Sequence, residues 1–194
     1  MPEFLVGLDM GQSQDYTALC VAERVDVPTG KAHYHLRHLE RFRLGTSYPA
    51  VVERVGEMLA GPPLWGCSQL VVDGTGVGAP VVDMFRQKGL VPIAITITGG
   101  DTVTGDGGNY RVPKRYLVST MQVLLQAGLL KVAEELPDAT VLVQELLNFR
   151  VKIDPLTAHD SYGAWREGQH DDLVLATAVI LVRGAAAGIR GLVT

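Results

Sequence analysis

The chain opens with three strand-like segments in succession and only then starts to alternate strands with helices. That change of rhythm limits the folds open to it more than any other feature. Phe4 to Leu8 is a short apolar run that ends at Asp9. Gly11 to Asp15 reads as a turn, and Thr17 to Val27 alternates with the period of a strand. Pro28-Thr29-Gly30 is a second turn signal, and Lys31 to Phe42 alternates again. Three such runs joined by short turns predict an antiparallel meander. After Ser47 the period becomes helical, with Val51, Val52, Val55, Met58 and Leu59 at three- and four-residue spacing. Gln69 to Asp73 is a continuous apolar run ending in another aspartate, as suits a strand covered on both faces.

Gly74 to Gly78 predicts a loop, Ala79 to Lys88 a helix closed by Gly89, and Val91 to Thr98 a further buried strand. Residues 99–110 are rich in Gly and Asp and lack periodicity, so a flexible loop able to clamp a substrate is expected there. Helices are expected over Pro113 to Ala127, with Gly128 just past the end, over Pro137 to Phe149, and from Asp171 onward. The last of these carries Leu173, Leu175, Ala176, Val179 and Ile180 and is interrupted at Arg183 and Gly184. A hairpin is expected within residues 150–169. The 194 residues are expected to form one domain, residues 1–194. Its expected fold is α/β: a central mixed five-stranded sheet, three antiparallel strands and then parallel ones, flanked by helices, plus the late β-hairpin. A Rossmann domain alternates strands and helices throughout. The opening meander points instead to a ribonuclease H-like topology.

Composition removes several function classes. The formal net charge is −4, which argues against a protein that simply coats DNA or a membrane surface. The amino terminus has no basic segment and meets Asp9 early, so it does not read as a signal peptide. No apolar run reaches the ~18–20 residues of a membrane span. Cys20 and Cys67 form no metal knuckle, and both are expected to be buried and reduced, in keeping with a cytosolic compartment. The Gly74 to Gly78 loop carries no lysine of the phosphate-loop type, and no Walker A motif occurs anywhere.

The chemistry lies in the carboxylates. Asp9 ends the first strand, Asp73 ends the fourth, and Asp171 and Asp172 open the last helix directly after His170. Functional groups of open α/β sheets collect at the carboxyl ends of strands. If the first and fourth strands are parallel neighbours, Asp9 and Asp73 stand side by side, and the last helix can add a third carboxylate. Such a cluster repels itself unless it is protonated or neutralised by a cation. Hard oxygen donors suit Mg²⁺ or Mn²⁺, and two such ions can hydrolyse a phosphodiester. Each acid alone also reads as a turn former or a helix-dipole partner; their joint placement favours the metal reading.

The ordered stretches GLDMGQSQDYTALCVAE (Gly7 to Glu23), LVVDGTGVGAPVVDMF (Leu70 to Phe85), ITITGG (Ile95 to Gly100), RVPKRYLVSTMQVLLQAGLLKV (Arg111 to Val132), ELLNFR (Glu145 to Arg150) and HDDLVLATAV (His170 to Val179) cover nearly the whole chain. In this order they resemble the nuclease domain of the large terminase subunit of tailed bacteriophages, a ribonuclease H-like fold related to the RuvC resolvase. The resemblance implies a metal-dependent endonuclease that cuts concatemeric double-stranded viral DNA with little sequence preference. It implies Asp9 as ligand of both of two divalent ions, Mg²⁺ or Mn²⁺, and Asp73 as ligand of one. The resolvase pattern D-x-L-x-x-A falls on Asp171, Leu173 and Ala176, which makes Asp171 the third ligand and Asp172 an alternative one. His170 would hold a water or phosphate or orient Asp171, and Asp15 matches an acidic position of the first hairpin. The resemblance also implies an ATPase motor domain, which these 194 residues are not expected to include. The motor, the small terminase subunit and the portal are the implied partners, the host cytoplasm the implied location, and a monomer the expected state of the domain.

Arg111, Lys114 and Arg115 stand in a stretch free of acids and are the expected phosphate contacts. The hairpin with Lys31, Arg37, Arg41 and Arg43 is a weaker candidate. Two other functions fit parts of the pattern. A Holliday-junction resolvase would use the same chemistry as a dimer. An actin- or sugar-kinase-like phosphotransferase shares the two aspartate-containing loops but needs a second related domain. Two divalent ions would cancel the formal −4, so the acidic balance is compatible with a nucleic-acid substrate.

Overall fold

A computed structural model describes residues 3–12, 15–28, 30–153, 160–164 and 170–186. The meander forms as expected: β1 (Phe4–Asp9) pairs antiparallel with β2 (Ala18–Val25), and β2 with β3 (His33–Arg41). Ser47 caps α1 (Tyr48–Ala60), its hydroxyl accepting the Ala50 N–H at 3.4 Å. The chain then returns beside β1. β4 (Ser68–Asp73) runs parallel to it, and after α2 (Gly78–Gln87) β5 (Ile93–Thr98) runs parallel to β4.

The stretch expected as a loop is instead a hairpin of β6 (Thr104–Asp106) and β7 (Asn109–Pro113), with β7 laid parallel along β5. Its turn is Gly107-Gly108, both at positive φ (53° and 92°), which suits the tight turn of a two-residue hairpin. Three polar residues in β6 are too few to show a period, so the hairpin was hidden. Pro113 ends β7 and immediately precedes α3 (Lys114–Gln126) rather than standing in its first turn. β8 (Leu130–Lys131) adds parallel to β3. The sheet therefore has eight strands, in the order β6-β7-β5-β4-β1-β2-β3-β8, and the five expected strands form its middle. The late hairpin is present as β9 (Phe149–Ile153) and β10 (Asp160–Ala164), after α4 (Ala139–Asn148).

The last helix, α5 (Asp172–Ala186), runs on through Arg183 and Gly184 without interruption. A Cβ at position 184 would come within 2.6 Å of the Tyr34 ring, so glycine is what lets the two pack. α5 is apolar almost all round. Leu173, Val174, Ala176, Val179, Ile180 and Leu181 are wholly buried, which marks a helix enclosed by protein. It crosses β1, β2 and β4 and packs on α3 and α4.

The two faces of the sheet carry separate cores. Phe4, Val6, Leu8, Leu70 and Val72 meet α1 and α2 through Val51, Val55, Val81 and Phe85. Leu5, Cys20, Val71 and Ile95 meet α3, α4 and α5 through Leu117, Leu142, Ala176 and Ile180. Alternation then sends every odd residue of β1 and of β4 to the α5 side. Of the two free cysteines, Cys20 is buried, and burial pushes its thiol up to about 12. Cys67 is only half-buried, contrary to expectation. It lies in the turn leading into β4, and its thiol donates to the Pro63 carbonyl at 2.8 Å. Among the described residues no helix is long and apolar enough to cross a membrane.

Candidate active site

Asp9 is the last residue of β1 and Asp73 the last residue of β4. The two strands are parallel and in register, with Gly7 opposite Val71 and Leu8 opposite Val72. One step further brings Asp9 level with Asp73, and alternation turns both toward α5. Both are buried. Gly7 lets α5 approach, since a Cβ there would stand 2.1 Å from the Ala176 carbonyl oxygen. Because the helix lies so near β1, its start brings Asp172 and the preceding Asp171 close enough to act on Asp9.

The electrostatics follow from that placement. Burial, and then repulsion from Asp73, Asp172 and Asp171, hold the Asp9 carboxyl well above the usual carboxylate range. Burial also raises Asp73, opposed by hydrogen bonds from Thr75. The Thr75 N–H donates to Asp73 Oδ1 at 2.8 Å, and the Thr75 hydroxyl oxygen accepts the Ile97 N–H at 2.9 Å. This turn fixes the Asp73 rotamer and ties the loop after β4 to β5. Burial pushes Asp172 up to about 6, against the pull of His170 and Arg41.

Two cations of the chain stand among these acids. Lys114 opens α3 and places Nζ 3.6 Å from Asp171 Oδ2; its charge also lowers Asp9 and Asp73. Arg41 ends β3 and places Nη2 3.5 Å from Asp172 Oδ2. His170 Nδ1 lies 3.7 Å from Asp172 Oδ2 and 3.9 Å from Asp15 Oδ1, and its ring meets Tyr16 edge-on at 5.0 Å. The expected carboxylates are thus drawn into one neighbourhood. Among the described residues, though, no three His, Cys, Asp or Glu side chains meet at metal-ligating distance. The donor set is oxygen-rich and free of thiolate. Three of its members, Asp9, Asp73 and Asp172, are buried with a raised proton affinity, which is an unmet demand for positive charge. Those features fit a hard divalent cation.

The basic residues separate into two groups. Arg111 is exposed on β7, and Arg115, on α3, pairs with Asp101. In the first hairpin Arg37 pairs with Glu23 at 2.5 Å, and Arg41 is turned inward to the acids. Arg43 is exposed and lines a groove of about 450 Å³ together with Gly11, Gln12, Asp15 and Thr17.

Sequence reasoning missed Glu145 and the inward role of Arg41. Glu145 is buried. Its Oε2 accepts the Val174 N–H at 3.1 Å, and burial lifts its carboxyl to about 7. The available signal was an acid standing among Leu142, Leu146 and Phe149 on the apolar side of α4.

Residues 6–183 match the family described as the terminase RNaseH-like domain. The chain belongs to that family. Solved structures agree on the fold. The large terminase nuclease of thermophilic phage G20c superposes with a TM-score of 0.64 at 22% identity, over 92% of this chain and 81% of that one. The nuclease domain of the bacteriophage SPP1 large terminase, solved with bound Mn, gives 0.56 at 10% identity, over 94% of this chain and 86% of that one. The HK97 bacteriophage large terminase gives 0.57 at 12% identity, over 93% of this chain but 39% of that one. Curated proteins yield no match. The terminase RNaseH-like domain thus carries the expected α/β fold, with its mixed sheet flanked by helices.

Proposed function

We propose that this terminase domain is a metal-dependent DNA endonuclease of viral genome packaging, cutting concatemeric double-stranded DNA with little sequence preference. The observation that carries this reading is the buried Asp9–Asp73 pair on adjacent parallel strand ends, with the Asp171-Asp172 doublet at the start of α5 beside it. The bound Mn in the SPP1 nuclease domain supports divalent metal use in a relative of the same fold.

In this reading Asp9, Asp73, Asp171 and Asp172 would hold two divalent ions, Mg²⁺ or Mn²⁺. When bound, such ions supply Lewis-acid stabilisation to the phosphodiester undergoing hydrolysis. The chain's own residues do the rest. Asp9 and Asp73 give up any protons that burial has kept on them as cations load. Thr75 keeps Asp73 in one orientation, and His170 stands beside Asp172 and Asp15, where it would hold a water or a phosphate. Arg111, Lys114 and Arg115 supply charge to DNA phosphates beside the cluster, which gives salt-dependent, sequence-independent binding. Because the same fold occupies 39% of the HK97 large terminase, we place most of the grip on DNA in partners: the packaging ATPase, the small terminase subunit and the portal.

The deciding experiment is plasmid nicking with Mg²⁺, Mn²⁺, Ca²⁺ or EDTA. Cleavage in Mg²⁺ or Mn²⁺ that EDTA abolishes is the expected result. Cleavage indifferent to EDTA overturns the metal assignment, and one discrete cut site on long linear DNA overturns the lack of sequence preference.

A further inference from the structure

We infer that Arg41 is a positioning residue for the carboxylate site, acting through Asp172, and that Glu145 shares this task by holding the first turn of α5. The inference rests on the nuclease reading above. Arg41 comes from the end of β3, and its guanidinium meets three groups from three other parts of the chain. Its Cζ lies 3.7 Å from the centroid of the Tyr16 ring, Nη2 lies 3.5 Å from Asp172 Oδ2, and Nη1 lies 3.9 Å from Glu145 Oε1. A guanidinium is planar, permanently charged and forked, so it can stack on a ring and face two carboxylates at once; a lysine cannot.

Glu145 completes the arrangement from α4. The first turn of a helix leaves N–H groups without intrahelical partners. Glu145 Oε2 accepts one of them, the Val174 N–H, across 29 positions of sequence. A carboxylate at that place also complements the positive end of the helix. Arg41 therefore holds Asp172, and Glu145 holds the backbone that carries it. The doublet is divided as a result, with Asp172 turned to Arg41 and Asp171 turned to Lys114.

A fold has little need of this network. Buried ion pairs are often replaceable by apolar residues without loss of stability. This one is also incompletely satisfied, since Arg41 Nε and Glu145 Oε1 are buried without a hydrogen-bond partner among the described residues. A polar network kept at that cost beside a cluster of acids belongs to the site more than to the core.

The test uses the whole chain with Arg41→Met and Glu145→Leu, and reads two quantities. One is the Mn²⁺ concentration that half-saturates plasmid nicking; the other is the Mn²⁺ dissociation constant from calorimetry. Both should rise roughly 10–100-fold, the usual effect of removing a group that orients a metal ligand. The KM for plasmid at saturating Mn²⁺ should stay near that of the wild type. Glu145→Gln keeps an acceptor for the Val174 N–H and should recover most of the loss, whereas Arg41→Lys should recover little. If the wild type nicks plasmid and neither Mn²⁺ quantity moves in the variants, the positioning role is overturned and the nuclease reading stands. If the wild type neither nicks nor binds Mn²⁺, the nuclease reading itself fails. Should Arg41→Met or Glu145→Leu not fold, Glu145→Gln and Arg41→Lys decide on the same two readouts: wild-type values in both overturn the inference, and a loss confined to Arg41→Lys upholds it.

Discussion

The Lys114 ammonium stands 3.6 Å from the Asp171 carboxylate, at the point where the start of α3 meets the start of α5, and its field also reaches Asp9 and Asp73. Lys114 is the chain's own counter-charge for the acids. In EDTA, Lys114→Met should melt a few degrees below the wild type at pH 8. The gap should narrow as pH falls, because Asp9 and Asp73, which burial raises and Lys114 lowers, take up protons ahead of ordinary carboxylates. Thermal melts at several pH values check this, and a gap constant with pH would remove Lys114 from the charge balance of the cluster.

Asp9 is ionisable, buried and repelled by three other carboxylates, so it burdens the metal-free fold. Asp9→Asn should abolish Mn²⁺-dependent nicking and yet raise the melting temperature in EDTA at neutral pH, by the few degrees that about 1 kcal/mol supplies in a chain of this size. Calorimetric scans beside a nicking assay read both. A variant less stable than the wild type at pH 7.5 would mean that Asp9 is held by favourable partners.

The stability of the metal-free protein should fall as pH rises from about 5 to about 7.5. Burial lifts Glu145 from 4.5 to about 7 and Asp172 from 3.8 to about 6, and it raises Asp9 and Asp73 in the same direction. The folded protein then keeps protons that the unfolded chain has released. The stabilisation is whole below the unfolded pKa values and is lost as pH passes through the folded ones. Urea unfolding in EDTA at several pH values measures the slope. Saturating Mn²⁺ should reverse it, because ions bind the ionised carboxylates.

Gly7 is the point where α5 touches the sheet, with room for no more than a hydrogen before the Ala176 carbonyl. Gly7→Ala should cost about 1–3 kcal/mol or more, as overpacking of a tight core does. Because α5 carries Asp171 and Asp172, the displacement should also lower nicking more than the loss of stability explains. Urea midpoints and nicking rates at 10 °C, where the variant remains folded, separate the two effects.

Arg111 is exposed on the edge hairpin and has no role inside the acid cluster. Arg111→Ala should weaken DNA binding evenly across sequences and reduce the slope of log affinity against log salt by about one. Fluorescence anisotropy with two unrelated duplexes in Ca²⁺ at several salt concentrations tests this. An unchanged slope would take Arg111 out of the interface.

Much of this was legible along the chain because it is written in local patterns. Alternation in Thr17 to Val27 and Lys31 to Phe42 marked the meander, and the apolar run from Gln69 to Val72 marked a strand covered on both faces. Ser47 marked the start of α1 through its capping hydroxyl. The β6–β7 hairpin escaped because its strands are short and polar, and β8 because two residues carry no period. The glycine inside α5 is explained only by the Tyr34 ring, remote in sequence, which leaves no room for a Cβ at position 184.

For the site the division is sharper. The sequence by itself determined that Asp9 and Asp73 end strands and that Asp171 and Asp172 open a helix, since strand period, helix start and residue type are local properties. The tertiary structure alone decided which charges meet. The parallel register of β1 and β4 set Asp9 beside Asp73, and the close approach of α5 at Gly7 brought the doublet near Asp9. It also drew Arg41 from the expected DNA face inward to Asp172 and Glu145. Hydrogen bonding and charge pairing act through space across 29 to 131 positions of sequence, and no local pattern encodes a contact at that range.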